Sequence, residues 1–558
     1  MVETTGTNTK KTFFSGVLLL SVSTVLVKIV GLIYKIPMLT YLGSEGMGYF
    51  NSAYEIYALF CVISTAGLPV ALSVLISDAL ARGEASAAQR IYRASMRIFV
   101  LVGVLGSGVM LLFAQSFCQM IQSERAYACI LSIAPTVFLV CVSSALRGYF
   151  QGYQRMLPTA ISQLLESVGK LVFGLLLARY ALHRGYDTST VASFAGIGLT
   201  LGTALSFLYL VLEKLRFQRT MGKVREQKQA SFAEKYRDIW KRLSALAIPM
   251  TVGASLVSLT KLIDMTMILR RLQSIGYTEV LANEAYGSYT TLALSVYGLL
   301  PALVNSIALP LVPMLSASIA SGDKEKQAQM IRTSYQLTAL FAVPSALGVA
   351  VYSRPILHLL FSGEAEAVLM AAPLLSALGL SIFLSCMITA TNSVLHAYQQ
   401  VNRPILSMLV GAVVKIATAY VLIGNNNIAL LGAPISTFLC NVVVVSLNFY
   451  FACSLCKVSG LQSVFRGPLL ASVLAVGMSY GFYWILSSHL GEHGYLTFLA
   501  ILIAILLYLI FSCVFGVLHE EDILALPMGE KICDVLKRLR LLETETTKGD
   551  IKENVLQR

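Results

Sequence analysis

Charge is what this 558-residue chain has least of: Asp, Glu, Lys and Arg together make up 13% of it, about half the ~25% of ordinary globular domains. A soluble chain of this length would have several domain surfaces to cover with polar groups. So little charge excludes a soluble enzyme, a disordered chain and a nucleic-acid-binding protein together. Acids are scarcer than bases, 29 against 42, which leaves a net charge of +13. Histidine numbers six; His183, His358, His489, His493 and His519 lie near predicted helix ends without ligand spacing, so no metal site is expected. The ten cysteines form no framework. Cys453 and Cys456 make a lone CxxC with no second pair, and the set is read as buried small residues. No nucleophile–base grouping is present, so no catalytic residue and no cofactor are expected. The glycine-rich run from Gly43 to Gly48 has no preceding strand and no following Lys-Ser or Lys-Thr, and is read as a tight turn rather than a phosphate loop.

What the chain does have is apolar length. Hydrophobic residues make up 56% of it, gathered in blocks of 20 or more instead of the alternation of an outer-membrane barrel. Fourteen such segments run between residues 12 and 518, the first at 12–39, the second at 47–79 and the eighth at 285–316. Only helices satisfy backbone polar groups in lipid without closing a barrel. The expected fold is therefore an all-α polytopic membrane protein with 14 transmembrane helices. Of the 42 basic residues, 31 fall on one side of these crossings and six on the other. The positive-inside rule then places both termini in the cytoplasm. The expected division is helices 1–6 in 1–212, a basic cytoplasmic linker at 213–242, helices 7–12 in 243–455, helices 13–14 in 456–518, and a cytoplasmic tail at 519–558.

The two sides of the linker resemble each other. Lys28 precedes Pro69 by 41 residues and Lys261 precedes Pro301 by 40, and both prolines are read as hinges in helices 2 and 8. Leu146-Arg147-Gly148-Tyr149-Phe150-Gln151 parallels Leu395-His396-Ala397-Tyr398-Gln399-Gln400, and Lys170 and Lys415 then follow Pro158 and Pro404 at nearly equal distances. Their shared order across six helices predicts two pseudo-symmetric six-helix lobes plus two C-terminal helices, with substrate near the midplane.

A charge within a span costs about 2.5–3.5 kcal/mol on insertion scales, so each needs a partner, a wet cavity or an escape to the interface. The candidates are Lys28, Lys35, Glu55, Glu166, Lys170, Lys261, Asp264 and Lys415. Lys170 and Lys415 lie about 18–20 Å from the ends of their helices. Lys35 is near enough to an end to snorkel, and Glu55 is the one acid that Lys28 could meet across helices. Glu166 with Lys170 and Lys261 with Asp264 have spacings that close on one helix. Five lysines against three acids leave a basic cavity suited to a multiply charged anion.

Lys28-Ile29-Val30-Gly31-Leu32-Ile33-Tyr34-Lys35-Ile36-Pro37, followed by Leu42-Gly43-Ser44-Glu45-Gly46-Met47-Gly48-Tyr49-Phe50, resembles the opening of the polysaccharide-biosynthesis flippases of the MOP superfamily, in the branch of stage V sporulation protein B and the Gram-positive lipid II flippases. Gly67-Leu68-Pro69 and Arg147-Gly148-Tyr149-Phe150-Gln151-Gly152 extend the likeness. The resemblance implies two six-helix lobes around a cationic cavity, a groove on helices 13 and 14 for a polyprenyl tail, and alternating access. The implied function is a bacterial cytoplasmic-membrane flippase for a polyprenyl-pyrophosphate-linked sugar, lipid II or a related cell-wall or spore-cortex precursor. Lys28, Lys35 and Lys261 would hold the pyrophosphate. Lys170 and Lys415 would line the cavity, with Glu166 as a switchable partner, while Glu55 and Asp264 tune the charge. The expected partners are the lipid-linked oligosaccharide, membrane lipids and cell-wall synthesis enzymes, with the chain monomeric and no nucleic acid involved. The runner-up is an ion-coupled efflux antiporter for organic cations, which calls for an acidic cavity.

Overall fold

The computed structural model describes residues 4–221, 236–308, 315–316, 318–319, 321–400, 402–456, 461–491 and 493–517. Residues 222–235 of the expected linker and the whole expected tail lie outside the described residues. The described residues form helices joined by short turns, and no strands. In chain order they are α1 (Thr4–Thr65), α2 (Leu68–Ala81), α3 (Ala85–Leu112), α4 (Ala114–Ile121), α5 (Tyr127–Gly152), α6 (Leu157–His183), α7 (Thr188–Met221), α8 (Tyr236–Ser274), α9 (Glu279–Ser288), a π turn (Tyr289–Ala293) and α10 (Leu294–Ala308). There follow α11 (Lys324–Val351), α12 (Ser353–Leu360), α13 (Ala365–Ala397), α14 (Asn402–Ile423), α15 (Gly432–Leu455), α16 (Leu461–Leu490) and α17 (Gly494–Val514). By length and composition, 12 stretches among the described residues can cross a membrane, against the 14 expected.

Both differences have local causes. Leu26–Ala81 counts as one stretch of 56 residues, yet it would measure about 84 Å as a straight helix, more than twice the ~30 Å hydrocarbon core. The chain breaks inside it at Gly43, whose φ of 64° is open to glycine. The expected turn over 43–48 is thus confined to Gly43, and Ser44 is already helical. A second break follows Thr65, where α2 begins with Pro69 in its first turn, a place where the missing N–H costs nothing. The expected eighth span is divided differently. α9, the π turn and α10 succeed one another, and none of the three reaches 18 residues.

The chain divides into two compact units, one comprising 1–295 with 416–433, the other 296–415 with 434–558. In the first, a core of Leu72, Ile76, Phe99, Leu146, Tyr149, Phe150 and Leu243 gathers α2, α3, α5 and α8. Apolar burial cannot drive association where lipid is equally apolar, so close backbone approach takes over. Gly198 and Gly202 of α7 lie four residues apart and rest on the backbone of Phe173–Gly174 and of Gly169–Lys170 in α6. A Cβ there would collide with main chain, which cannot rotate away. Gly202→Leu is expected to cost about 1–3 kcal/mol by overpacking and to lower the thermal midpoint of the detergent-solubilised protein. Gly253→Leu, in open space on α8, should leave that midpoint unchanged.

In the second unit α13 packs on α11, and α16 and α17 pair with each other. The last two helices are fastened by polar bonds: Tyr508 donates to the Leu340 carbonyl (2.7 Å), Gln336 to the Val517 carbonyl (3.2 Å), and the Tyr352 and Ser479 hydroxyls meet at 2.8 Å. Among the described residues no cysteine forms a disulfide; Cys456 is buried as expected, but Cys453 is exposed.

Candidate functional site

Seven of the eight intramembrane charges lie in the first unit, and they form two groups. The first group is built on α6. Glu166 stands one helical turn before Lys170, and the pair closes at 2.7 Å, as the i,i+4 spacing predicts. The other oxygen of Glu166 takes a bond of 2.8 Å from Arg147 of α5. Arg147 also donates to Ser162 (3.0 Å) and Ser206 (3.2 Å), so its guanidinium ties α5, α6 and α7. The side chains of Arg147, Glu166 and Lys170 are 14%, 13% and 23% exposed. Arg147 stands five residues before the end of α5, where an arginine reads in the sequence as an interfacial cation. The serines at 162 and 206 were a signal of a buried cation, legible only once α6 and α7 are known to meet it.

The second group centres on Lys35 of α1. Rather than snorkelling to the interface, its ammonium donates to the Ser295 hydroxyl at 2.8 Å and to the Thr290 carbonyl at 3.4 Å. That carbonyl lies in the π turn, where one residue more per turn disturbs the usual carbonyl pairing and leaves an acceptor for a side chain. Beyond the Gly43 break of α1, Asn51 donates to the Thr290 and Thr291 hydroxyls at 2.8 and 2.9 Å. Glu55, one turn beyond Asn51, feels the charges of Lys261, Lys35 and Asp264. Lys35 and Lys261 are thus the lysines whose charges reach Glu55. Lys28 lies two turns before Lys35 and is exposed, as is Lys261, whereas Lys35, Glu55 and Asp264 are half-buried. Asn51, Thr290, Thr291 and Ser295 were missed in the sequence because neutral side chains at these positions read as ordinary span residues.

Between the groups runs an aromatic row. Phe50 and Tyr54 stack with centroids 6.4 Å apart, and Tyr54 meets Tyr57 at 5.4 Å. Tyr54 feels the charges of Lys170 and Glu166 on one side and of Glu55 on the other. Of the proposed hinges, Pro69 is buried at the start of α2 and Pro301 half-buried inside α10. Lys415, the eighth charge, is half-buried in α14 of the second unit. Among the described residues no cluster of metal-ligating side chains occurs.

The family profile described as "Lipid II flippase MurJ" matches residues 121–504, well over half of the chain. The chain belongs to the MurJ lipid II flippase family. Among relatives, stage V sporulation protein B of Bacillus subtilis is 25% identical over 446 residues, covering 79% of this chain and 83% of that one. The fold matches a solved structure of the lipid II flippase MurJ in an inward closed conformation, with a TM-score of 0.67 and 16% identity over 89% of this chain and 98% of the other. It also matches an inward-facing multidrug resistance MATE family transporter of the MOP superfamily, with a TM-score of 0.59 and 14% identity over 78% and 99% of the two chains. The MurJ family is one of flippases, transporters rather than enzymes, and its members are multi-pass membrane proteins.

Proposed function

We propose that this protein moves a polyprenyl-pyrophosphate-linked sugar across the bacterial cytoplasmic membrane by alternating access, and that its cargo is lipid II or a close cell-wall or spore-cortex precursor. The observation that carries the reading is the gathering of Lys35 and Lys261 around Glu55 within a transmembrane helix bundle, on a chain of the MurJ family. Lys28, Lys35 and Lys261 hold the pyrophosphate, since ammonium groups in a partly dry site make strong charge-assisted bonds to phosphate oxygens. Glu55 and Asp264 keep that site from binding the anion irreversibly. Lys170 and Lys415 line the path, with Lys170 exchanging between Glu166 and the cargo. The chain crosses the membrane 14 times: Leu26–Ala81 turns back at Gly43, and the segment from Glu279 adds one more crossing through its π turn. The two repeats, 1–212 and 243–455, act as the moving lobes, Pro69 and Pro301 as hinges, and α16 and α17 carry the tail groove. Both termini are cytoplasmic, and the unit of transport is the monomer.

The test is replacement of the endogenous flippase. The chain should restore growth to a strain depleted of its lipid II flippase. Lys35→Ala and Lys261→Ala should each reduce lipid II translocation about 10–100-fold, which corresponds to the ~1.5–3 kcal/mol of one hydrogen bond to a charged group. Full complementation by both variants at wild-type protein levels overturns the reading. An organic-cation pump needs a carboxylate open to its substrate, whereas Glu166 is held by two cations and Glu55 lies among lysines. Drug resistance on expression, lost in Asp264→Asn, would favour the pump instead.

A further inference from the structure

The face of α8 opposite Lys261 carries a furrow that the proposed transport does not use. A hollow of about 800 Å³ is walled by Leu259, Ile263 and Met267 of α8, by Met120 of α4 and by Tyr420 of α14, with Arg270 and Arg271 at one end. A second hollow of about 340 Å³ continues from the shared Leu259 along Leu256 and Val252 to Thr251, against Leu59 and Ile63 of α1. At 100° per residue, Lys261 points about 160–180° away from Leu259, Ile263 and Arg270. The middle of the furrow is therefore on the reverse of the lysine-bearing face, while Arg271 and Thr251 lie on its flank, about 80° from Lys261. From Thr251 to Arg270 it extends about 28 Å, close to the ~30 Å of the hydrocarbon core.

Its charge is one-sided. No acidic residue lines either hollow, and the two guanidiniums are differently held. Arg271 is fixed: it lies 4.1 Å over the Tyr420 ring, its Nε donates to the Tyr420 carbonyl at 3.1 Å, and its Nη2 rests against Gly424, where a Cβ would displace it. Arg270 is exposed at the rim. With only its Nε so engaged, Arg271 presents a fork of further N–H donors at the end of an apolar channel.

We propose that this furrow binds one anionic glycerophospholipid of the surrounding bilayer, with its phosphodiester between Arg270 and Arg271 and one acyl chain laid along Leu259 towards Thr251. The guanidiniums match a phosphodiester and repel the extra cation of a zwitterionic headgroup. An apolar channel of membrane length matches a chain rather than a soluble anion. The lipid bridges α4, α8 and the end of α14, and so braces from behind the helix that presents Lys261.

The experiment is native mass spectrometry of the full chain with dioleoyl-phosphatidylglycerol and dioleoyl-phosphatidylcholine as competing probes. The expected wild-type preference for phosphatidylglycerol is at least about fivefold, the scale of one basic residue at an anionic surface. Arg270→Gln and Gly424→Ala should each reduce that preference, and together abolish it, with the thermal midpoint unchanged. Ile263→Trp, which narrows the channel and leaves both arginines, should lower retention of phosphatidylglycerol. Equal retention of the two lipids by the wild type overturns the proposal, as does a preference that survives the double variant. Displacement of phosphatidylglycerol by equimolar undecaprenyl phosphate also overturns it and assigns the furrow to the prenyl carrier. Transport is not read in this assay, so either reading can fail without the other.

Discussion

Glu166→Ala should destabilise the protein by about 3–5 kcal/mol, the range for removing one partner of a buried ion pair. Glu166 is the shared anion of Arg147 and Lys170, each held at under 3 Å by a different carboxylate oxygen. Its loss leaves two cations facing each other among α5, α6 and α7, with only the Ser162 and Ser206 hydroxyls for Arg147. Thermal unfolding in detergent, followed by loss of monodisperse protein, should show a large drop in midpoint. The triple variant Arg147→Met, Glu166→Leu, Lys170→Met should regain most of it, because apolar side chains of similar volume replace such groups at little cost. Lipid II translocation by the triple variant should stay low if Lys170 has to leave Glu166 during the cycle. Recovered stability with full transport would assign the triad a purely architectural role.

The second large effect is expected at Gly48. α1 beyond its break lies backbone to backbone on α9: a Cβ on Gly48 would fall on the Asn283 main chain, and one on Gly287 on the Ser44 carbonyl. Main chain cannot turn aside as a side chain can, so Gly48→Leu should cost at or above the top of the ~1–3 kcal/mol range of overpacking. Polar bonds from α1 and from the turn between α4 and α5 fasten the same stretch of chain. Ser123 donates to Asn283 at 3.3 Å, the Arg125 amide donates to Glu279 at 3.0 Å, and Asn51 reaches Thr290 and Thr291 one turn further on. In a background without native cysteines, Ala282→Cys, fully buried as Ala282 is, should resist a membrane-impermeant maleimide. Adding Gly48→Leu should make it react at least about tenfold faster, a change that a 1.4 kcal/mol shift in opening already produces. Unchanged protection would show that α1 and α9 part readily in the native cycle.

The sequence made the membrane class legible because scarcity of charge and block length are properties of composition, and packing cannot override them. It made Glu166–Lys170 legible because both lie on one helix at a spacing fixed by 3.6 residues per turn. It read Lys35 as able to snorkel because the groups that hold it come from elsewhere in the chain. Lys35 meets Thr290 and Ser295 at separations of 255 and 260 residues. Hydropathy places such residues at a depth but says nothing of which helix faces them. The crossing count is hardest where helices are interrupted: the turn residues around Gly43 separate two spans in the sequence, whereas the π turn leaves no hydropathic trace. Arg147 was misread for a third reason. Five residues from a helix end is ordinary for an interfacial arginine, and only the serines on α6 and α7 distinguish a buried one.

The π turn has a geometric effect beyond freeing a carbonyl for Lys35. A turn with an added residue advances the azimuth of everything after it by about 100° relative to an unbroken α-helix. The stripe of α9 that meets Gly48 therefore does not continue as a stripe of α10; past Ala293 a different set of side chains inherits that bearing. Substitutions in α9 and α10 spaced at multiples of three or four will pair correctly within each helix and wrongly across Tyr289–Ala293, so a scan of this region has to be phased separately on its two sides.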